Sequence, residues 1–483
     1  MIAMTDSDVI VVGAGPTGLM LACELAMRGI AVHVLERRAE TPNITKAFAV
    51  HARTLELLDS RGMAEELLPR GVPIYEVAPA PGAVLDLTKL KSRYPMLLIA
   101  PQSATEHVLE ARATQLGVRF SWGVEVVGLT QDADGVTVAL GDGAALRTKF
   151  VVGCDGAHSA VRRLVGVDFV GSQYETHILL ADVKMTNPPE EGLFARTNAE
   201  GIVLVVPFGD GWFRAIAWDR LREQAPLDEP VTEAEIRSAF ARIAGEDFGM
   251  SEMRWSSRFL SERRQARRYR VDRVFLAGDA AHVHSPLGGQ GMNTGIGDAM
   301  NLGWKLAEAV RGTAPAGLLD SYQAERHPVG TRVLRLTDGF NKLVLGTSAF
   351  RRAFRRVAVT AILALPAGRR TMGGLLSGIG IKYPRPRGAH RLVGTRMPDV
   401  DCGRQRLFEL LRTGRFVLIT EAPVDVDLPG VACGVHGDPS LPAAILVRPD
   451  GYVAWASDTA VDEATIRAAV DRWSLTANPE SRV

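Results

Sequence analysis

Val9-Ile10-Val11-Val12-Gly13-Ala14-Gly15-Pro16-Thr17-Gly18, then Leu19-Met20-Leu21-Ala22-Cys23-Glu24-Leu25-Ala26, then Ala31-Val32-His33-Val34-Leu35-Glu36-Arg37, is the stretch whose reading decides the fold. It runs as an apolar strand, a glycine turn, a helix, and a second apolar strand that ends in an acid. A short all-apolar run bounded by a turn suits a strand buried on both faces. Gly13 permits the tight turn, Gly15 lets backbone approach a pyrophosphate, and Gly18 lets helix and strand pack closely. The helix start, with Pro16 and Thr17 in the turn, offers unpaired N–H groups and a positive dipole end to phosphates. Glu36 is placed to accept a ribose hydroxyl, and a 2′-phosphate there would meet its charge. NADP is therefore disfavoured, and FAD and NAD both remain open.

The chain has 483 residues, 46% of them hydrophobic, enough for a large core and more than one domain. Its net charge of +1, from 56 basic and 55 acidic residues, gives no reason to expect nucleic acid or an anionic membrane as a partner. Cys23, Cys154, Cys402 and Cys433 form no C-x-x-C pair and read as reduced thiols of an intracellular protein, with a Cys402–Cys433 disulfide as the alternative. No signal peptide is evident, and Val357 to Pro366 is apolar but too short to span a bilayer. A cytoplasmic protein is expected. Arg258 to Arg273 carries seven arginines with only Phe259 and Tyr269 as aromatics, which suits a solvated face or a phosphate contact better than nucleic acid.

Further along, Val50 to Leu58 has helical spacing, ended by Arg61-Gly62. Residues 69–100 read as strands and turns, and Ala104 to Gly117 as a helix. Phe150-Val151-Val152-Gly153-Cys154-Asp155-Gly156 is another buried strand ending in an acid and a glycine. From about 172 to 273 short strands alternate with turns around a helix at Glu233 to Ile243, as in an inserted antiparallel sheet. Val274-Phe275-Leu276-Ala277-Gly278-Asp279 returns to the buried-strand pattern, followed by a glycine-rich loop and a helix from Gly295 to Val310. A Pro/Arg/Gly-rich linker, Tyr383 to Gly388, precedes a last unit of strands and one helix. The expected domains are 1–172 and 274–385 for the two parts of a cofactor domain, 173–273 with help from 70–100 for substrate, and 389–483 at the C-terminus. His282 and His284, two apart near an acid, have no third ligand that would support a metal site and read as polar loop residues. His51 and Lys46 read as exposed polar residues, and Asp298 and Asn301 as residues orienting the following helix.

Three strand ends, at Gly13, Asp155 and Asp279, thus point at one ligand, which must be long and extended. With these motifs in this order, the chain resembles the single-component FAD-dependent aromatic hydroxylases built like para-hydroxybenzoate hydroxylase. It is most similar to their branch acting on polyketides and rifamycin-like drugs. The resemblance implies an α/β fold: a Rossmann-like FAD-binding domain, an inserted antiparallel-sheet substrate domain, and a thioredoxin-like C-terminal domain. Ile445 to Trp455 carries the likeness to that last domain, but the C-x-x-C is missing, so no redox role is expected there. FAD, rather than NAD, is implied at the opening turn. Asp279 would bond the ribitol and Glu36, beside Arg37, the adenosine ribose. Arg53 and Gln102 would lie near the pyrophosphate and ribitol, and Asp155 with Arg162 would serve FAD and nicotinamide handling. The loop Pro286 to Asn293, including Gly289, Gly291 and Met292, would line the flavin ring. Trp212, Phe213, Trp218 and Pro286 would line the substrate pocket.

The implied chemistry is reduction by NADPH or NADH, bound transiently without a second glycine motif, then O₂ activation as a C4a-hydroperoxide that attacks a phenolic carbon. Such a site binds, orients and excludes water, so no catalytic side chain is assigned and no metal is expected. The implied partners are an aromatic substrate, O₂ and NAD(P)H, in a monomer or homodimer. Baeyer–Villiger or antibiotic-inactivating oxygenation on the same scaffold and a flavin-free binding protein of this fold are the alternatives.

Overall fold

A computed structural model describes residues 3–4, 7–39, 47–80, 83–190, 192–285, 288–344, 349–424 and 428–473, so the expected contact Pro286 and the unassigned Lys46 lie outside the described residues. The opening stretch folds as β1 (Val9–Val12), α1 (Pro16–Ala26) and β2 (Val32–Glu36). The next elements are α2 (Ala52–Asp59), α3 (Gln102–Gln115), β3 (Arg119–Trp122) and β4 (Phe150–Gly153). Then come β5 (Phe169–Met185), β6 (Phe194–Thr197), β7 (Gly201–Pro207), β8 (Trp212–Asp219), α4 (Glu233–Ala244) and β9 (Met250–Ala266). They lead into β10 (Arg270–Val271), β11 (Val274–Leu276), α5 (Gln290–Arg311), α6 (Asp320–Val344) and α7 (Pro366–Ser377). The C-terminal unit has β12 (Phe416–Thr420), β13 (Val431–Val435), β14 (Ala444–Val447), β15 (Val453–Ser457) and α8 (Glu463–Asp471).

The first sheet has the strand order β10-β11-β4-β1-β2-β3. Its four pairings from β11 to β3 are parallel, and the register sets Val12 against Gly153 and Leu35, and Gly153 against Leu276. The three apolar runs end side by side because each is buried on both faces, with Val9, Ile10, Val11, Val151, Val152 and Phe275 all fully enclosed. Only α1 and α5 on one face, and the elements opposite, can cover so much valine and isoleucine.

The second sheet, β6-β7-β8-β5-β9 with His282–Val283 at its edge, is antiparallel throughout. That edge pairing ties it to the first sheet's third strand end. One face is covered by α4 through Ile236, Ala239, Phe240 and Ile243. The other turns Leu180, Ile202, Val206 and Trp218 toward Ile74 and Ile99 of the 70–100 segment. Side chains alternate along a strand, so β8 sends Trp212 and Trp218 to this second face and Phe213 to the α4 side.

The C-terminal sheet has the order β13-β12-β14-β15 and packs with α8 against Trp304 of α5. Arginines seal the seam. Arg61 reaches Glu24, the Leu411 carbonyl at 2.9 Å and the Pro449 carbonyl at 2.7 Å. Arg53 donates to the Asp450 carbonyl at 2.8 Å, Arg396 pairs with Glu56 at 2.7 Å, and Arg412 pairs with Asp59 at 2.9 Å. All four cysteines are free thiols, which sets aside the Cys402–Cys433 alternative. The arginine run resolves into internal ion pairs, Arg258 with Glu235, Arg263 with Asp338, Arg267 with Asp168 and Arg270 with Asp320, rather than one open basic face. Among the described residues no helix is long and apolar enough to cross a membrane.

Candidate active site

The cleft lies beyond the ends of β1, β4 and β11. Gly13 has φ of +106°, and a Cβ there would sit 2.5 Å from the Cys154 carbonyl oxygen, so the turn closes only with glycine. A Cβ on Gly18 would fall 2.0 Å from the Gly13 oxygen, whereas one on Gly15 would meet nothing within 4 Å. Gly18 therefore serves packing, and Gly15 leaves open room at the start of α1, where Pro16 occupies the first turn. Thr17 fills the joint between the first and third strand ends. A Cβ on Gly278 or on Gly295 would come within 2.5 or 2.2 Å of its Oγ1.

Glu36 accepts from the Ala14 N–H at 2.8 Å, which ties the acid to the glycine turn. Arg38 holds both its oxygens, through Nε at 2.9 Å and Nη2 at 3.0 Å. Burial would raise the Glu36 carboxyl, but Arg38 and the backbone N–H groups outweigh it and hold it below the usual carboxylate range. Arg37 is exposed, so the basic neighbour of Glu36 is Arg38. Gln102 opens α3, accepting from the Ala47 N–H at 3.0 Å and donating to Glu106 at 2.8 Å. That ties the start of α3 to Ala47.

At the second strand end, Asp155 uses one oxygen to accept from the Val161 N–H at 3.0 Å, and its buried Oδ1 has no partner among the described residues. Arg162 donates to the carbonyls of Ala280 and Ala157 at 2.9 and 2.8 Å. At the third, Asp279 is exposed and makes no hydrogen bond or ion pair among the described residues. A Cβ on Gly291 would lie 3.8 Å from both Asp279 Oδ1 and His284 Nε2, so these groups surround one space. His284 donates from Nδ1 to the Ser285 carbonyl at 3.0 Å, and its buried Nε2 is unpartnered.

The loop expected to line a flavin is shaped by Gly288 and Gly289, with φ of +83° and +61°, which leads into α5 with no side-chain cap. Asn293 does not face the cleft with its amide. It accepts from the His51 N–H at 2.9 Å and donates to the carbonyls of Ala49 at 2.8 Å and Gly289 at 2.7 Å, clamping the loop to the start of α2. Met292 packs into the main core.

Several expectations are corrected. Arg53 is buried and turned toward the Asp450 carbonyl, Glu56 and the face of Tyr452, not the cleft, because α2 carries it to the opposite side from His51. Phe213 is in the α4 core, and Trp212 and Trp218 pack between sheet and cofactor domain without lining the cavity. His282 is no surface loop residue, being fully buried with Nε2 2.7 Å from Asp298. Asp298 and Asn301 act as buried cross-links, the first to Arg326 and the Gly278 N–H, the second to Glu325 and Asp450. His51 is 3% exposed and in a cavity wall. Its buried state was hidden because a single histidine before a helix carries no periodic signal.

That cavity, of about 220 Å³, is almost wholly apolar and abuts Gly288 and Gly289. Leu204 comes from β7, Leu193 from just before β6, Met96 and Leu97 from the 70–100 segment, Phe48 from the approach to α2, and Leu376 from α7.

An extended cleft with a glycine turn at one end, free carboxylate oxygens along it and an apolar cavity at the other is the layout of a flavin-dependent oxygenase. The FAD binding domain family matches residues 6–337, and the aromatic-ring hydroxylase C-terminal family matches residues 390–477. The chain belongs to the FAD-dependent aromatic hydroxylases. Within them it is 41% identical to a rifampicin monooxygenase of Streptomyces venezuelae, over 93% of this chain and 96% of the relative. It is 40% identical to the 12-dehydrotetracycline 5-monooxygenase/anhydrotetracycline 6-monooxygenase of Streptomyces rimosus subsp. rimosus, over 95% and 97%. The structure of OxyS anhydrotetracycline hydroxylase from Streptomyces rimosus superposes with a TM-score of 0.85 at 38% identity, covering 97% of this chain and 99% of that one.

Proposed function

We propose that the protein is an NAD(P)H-dependent FAD monooxygenase that hydroxylates a phenolic, polycyclic aromatic substrate of the polyketide kind. The observation that carries this reading is the apolar cavity set directly against Gly288 and Gly289, in the loop that the family resemblance assigns to the flavin ring. The residues present fit FAD. Gly15 leaves the cradle a pyrophosphate needs, Glu36 is held against the glycine turn where a ribose would lie, and Asp155 Oδ1 and Asp279 are acceptors without partners among the described residues. Bound there, the flavin would supply hydride acceptance and oxygen activation.

The chain's own part is to bind, orient and keep water out. The walls from Phe48, Met96, Leu97, Leu193, Leu204 and Leu376 present a flat aromatic molecule to the loop and exclude solvent from its reacting edge. Arg38 steadies Glu36 at the adenosine end, and Gln102 holds the backbone at Ala47. No side chain is needed as a nucleophile. The relatives' names, with rifampicin and tetracyclines as what those enzymes act on, support a large fused aromatic as the substrate class.

The test is direct. The purified protein should be yellow, with FAD released on denaturation, and should oxidise NADPH or NADH faster when anhydrotetracycline or 1-naphthol is added. A product heavier by one oxygen with an aromatic C–OH by NMR is the expected result. A colourless protein, or one in which no phenol stimulates nicotinamide oxidation, would overturn the reading.

A further inference from the structure

The cavity is smaller than a fused polycyclic molecule. At about 220 Å³ it falls below the roughly 300–1,000 Å³ that encloses a whole drug-sized ligand, so such a molecule can put only one end into it. What that end meets is set by the walls. The described lining holds no lysine, arginine, aspartate or glutamate, and its two polar side chains, Ser377 and His51, are engaged elsewhere. Ser377 donates to the Gly373 carbonyl of its own helix at 2.6 Å, and the His51 Nε2 is 3.0 Å from the Gly288 carbonyl. Burial lowers the His51 imidazole to about 4, so the ring brings no positive charge at neutral pH. Strand alternation puts Arg214 of β8 on the same sheet face as Trp212 and Trp218. Its guanidinium is fully buried against Asp182 at 2.8 Å and is not part of the lining. Leu193 and Leu204, from neighbouring strands, and Leu97 opposite are only partly buried and stand where a cation would be needed to receive an anion.

We propose that the cavity selects by charge and from one end: it takes the uncharged phenolic terminus of a fused ring system, and every ionised group of the substrate stays outside. This rests on the phenol reading above and deepens it, because it removes phenols with a carboxylate on the reacting ring from the substrate class. Leu97, Leu193 and Leu204 are the specificity-determining residues. The physical cause is desolvation. A carboxylate that leaves water for these walls loses its hydration and gains neither a cation nor a side-chain donor, and a buried charge is tolerated only when paired. An uncharged ring entering the same space only gains by leaving water. A carboxylate on a distant ring never makes that transfer, since the cavity ends before it arrives.

Four probes separate charge from shape: 1-naphthol, 1-hydroxy-2-naphthoate, the neutral 1-hydroxy-2-naphthamide, and 6-hydroxyanthracene-2-carboxylate, whose carboxylate lies at the far end. Each is titrated into FAD-loaded protein and followed by flavin absorbance. Wild type should bind 1-hydroxy-2-naphthoate at least about 100-fold more weakly than 1-naphthol, because an unpaired buried charge costs several times RT. The amide should fall between the two, and the anthracene acid should bind close to 1-naphthol. Leu204→Lys supplies the missing cation and should strengthen 1-hydroxy-2-naphthoate about tenfold or more while weakening 1-naphthol. Leu193→Lys should do the same from the neighbouring strand, and Leu204→Met, which keeps the wall apolar, should hold the wild-type order. If wild type binds 1-naphthol and 1-hydroxy-2-naphthoate alike, the proposal falls and the phenol reading stands. An amide refused as strongly as the carboxylate makes shape the cause, and an anthracene acid refused as strongly shows that the whole molecule must enter. Either result overturns the proposal, as does a folded, FAD-loaded lysine variant in which the carboxylate gains nothing. A wild-type holoprotein that binds none of the four overturns the phenol reading itself, and this proposal with it.

Discussion

The two ends of α2 are equally buried and opposite in character. At and just past the C-terminal end, Glu56, Asp59 and Arg61 are each 5% exposed or less, and each carries its charge into an ion pair or onto a carbonyl. At the other end, His51 is 3% exposed and half satisfied. The same contrast recurs in the cleft, where Asp155 Oδ1 and Asp279 have no partner among the described residues while Asp298, a buried neighbour, is engaged by Arg326, His282 and the Gly278 N–H. A buried polar group with all its partners in the chain belongs to the scaffold. One left open beside a cavity is reserved for something that arrives later.

The largest effect should come from breaking the satisfied end. Glu24 is fully enclosed between Arg61 and Arg28, with Arg28 at 3.0 Å. Burial would raise its carboxyl, but the two guanidinium groups hold it below the usual range. Arg61→Met leaves that carboxylate under-compensated and also strips the Leu411 and Pro449 carbonyls of their donor. A loss of about 3–5 kcal/mol in urea unfolding is expected, with protease cleavage appearing near the C-terminal seam. A loss under about 1 kcal/mol would mean the seam is not held by these charges.

His51→Gln sharpens the comparison from the other side. The folded-state pKa of His51 is about 4, below the 6.5 of an unperturbed imidazole. As pH falls through 6.5 the unfolded chain takes up a proton that the folded chain refuses until about pH 4. Wild-type stability therefore drops across that window by about 3 kcal/mol on account of this one ring. The variant has no such group. The gap between the two proteins should move in the variant's favour between pH 6.5 and 4 in matched urea titrations. A gap independent of pH would place His51 in contact with solvent.

How much of this could be read from residue order follows the same division. Each strand end was legible because four apolar residues before a glycine or acid leave few alternatives, and the structure sets Gly13, Glu36 and Asp279 at or just beyond the ends of neighbouring parallel strands. Arg53 was misplaced because its position on α2 tells that it is helical but not which neighbour the helix meets, and that neighbour, Asp450, is 397 residues away. Trp212, Phe213 and Trp218 were grouped as bulky aromatics, whereas strand alternation already separates Phe213 from the other two. The cavity walls were invisible, being ordinary leucines and methionines brought together from the sheet, the 70–100 segment and α7.

Asp279→Ala probes the open group of the cleft and should cost the fold almost nothing. The carboxylate is exposed and unpaired, so apo-protein stability should stay within about 0.5 kcal/mol of wild type. The effect on FAD separates two roles by sign. If Asp279 were only a negative charge near the cofactor's phosphates, removing it would relieve repulsion and tighten binding. If it accepts hydrogen bonds from the ribitol hydroxyls, its loss should weaken FAD about 10- to 100-fold, the range for hydrogen bonds to a charged acceptor. Asp279→Asn, which keeps one acceptor oxygen and no charge, should fall between wild type and alanine. Fluorescence titration of apo-protein with FAD measures all three. Unchanged or tighter binding in the alanine variant would leave Asp279 as an exposed carboxylate with no part in holding FAD.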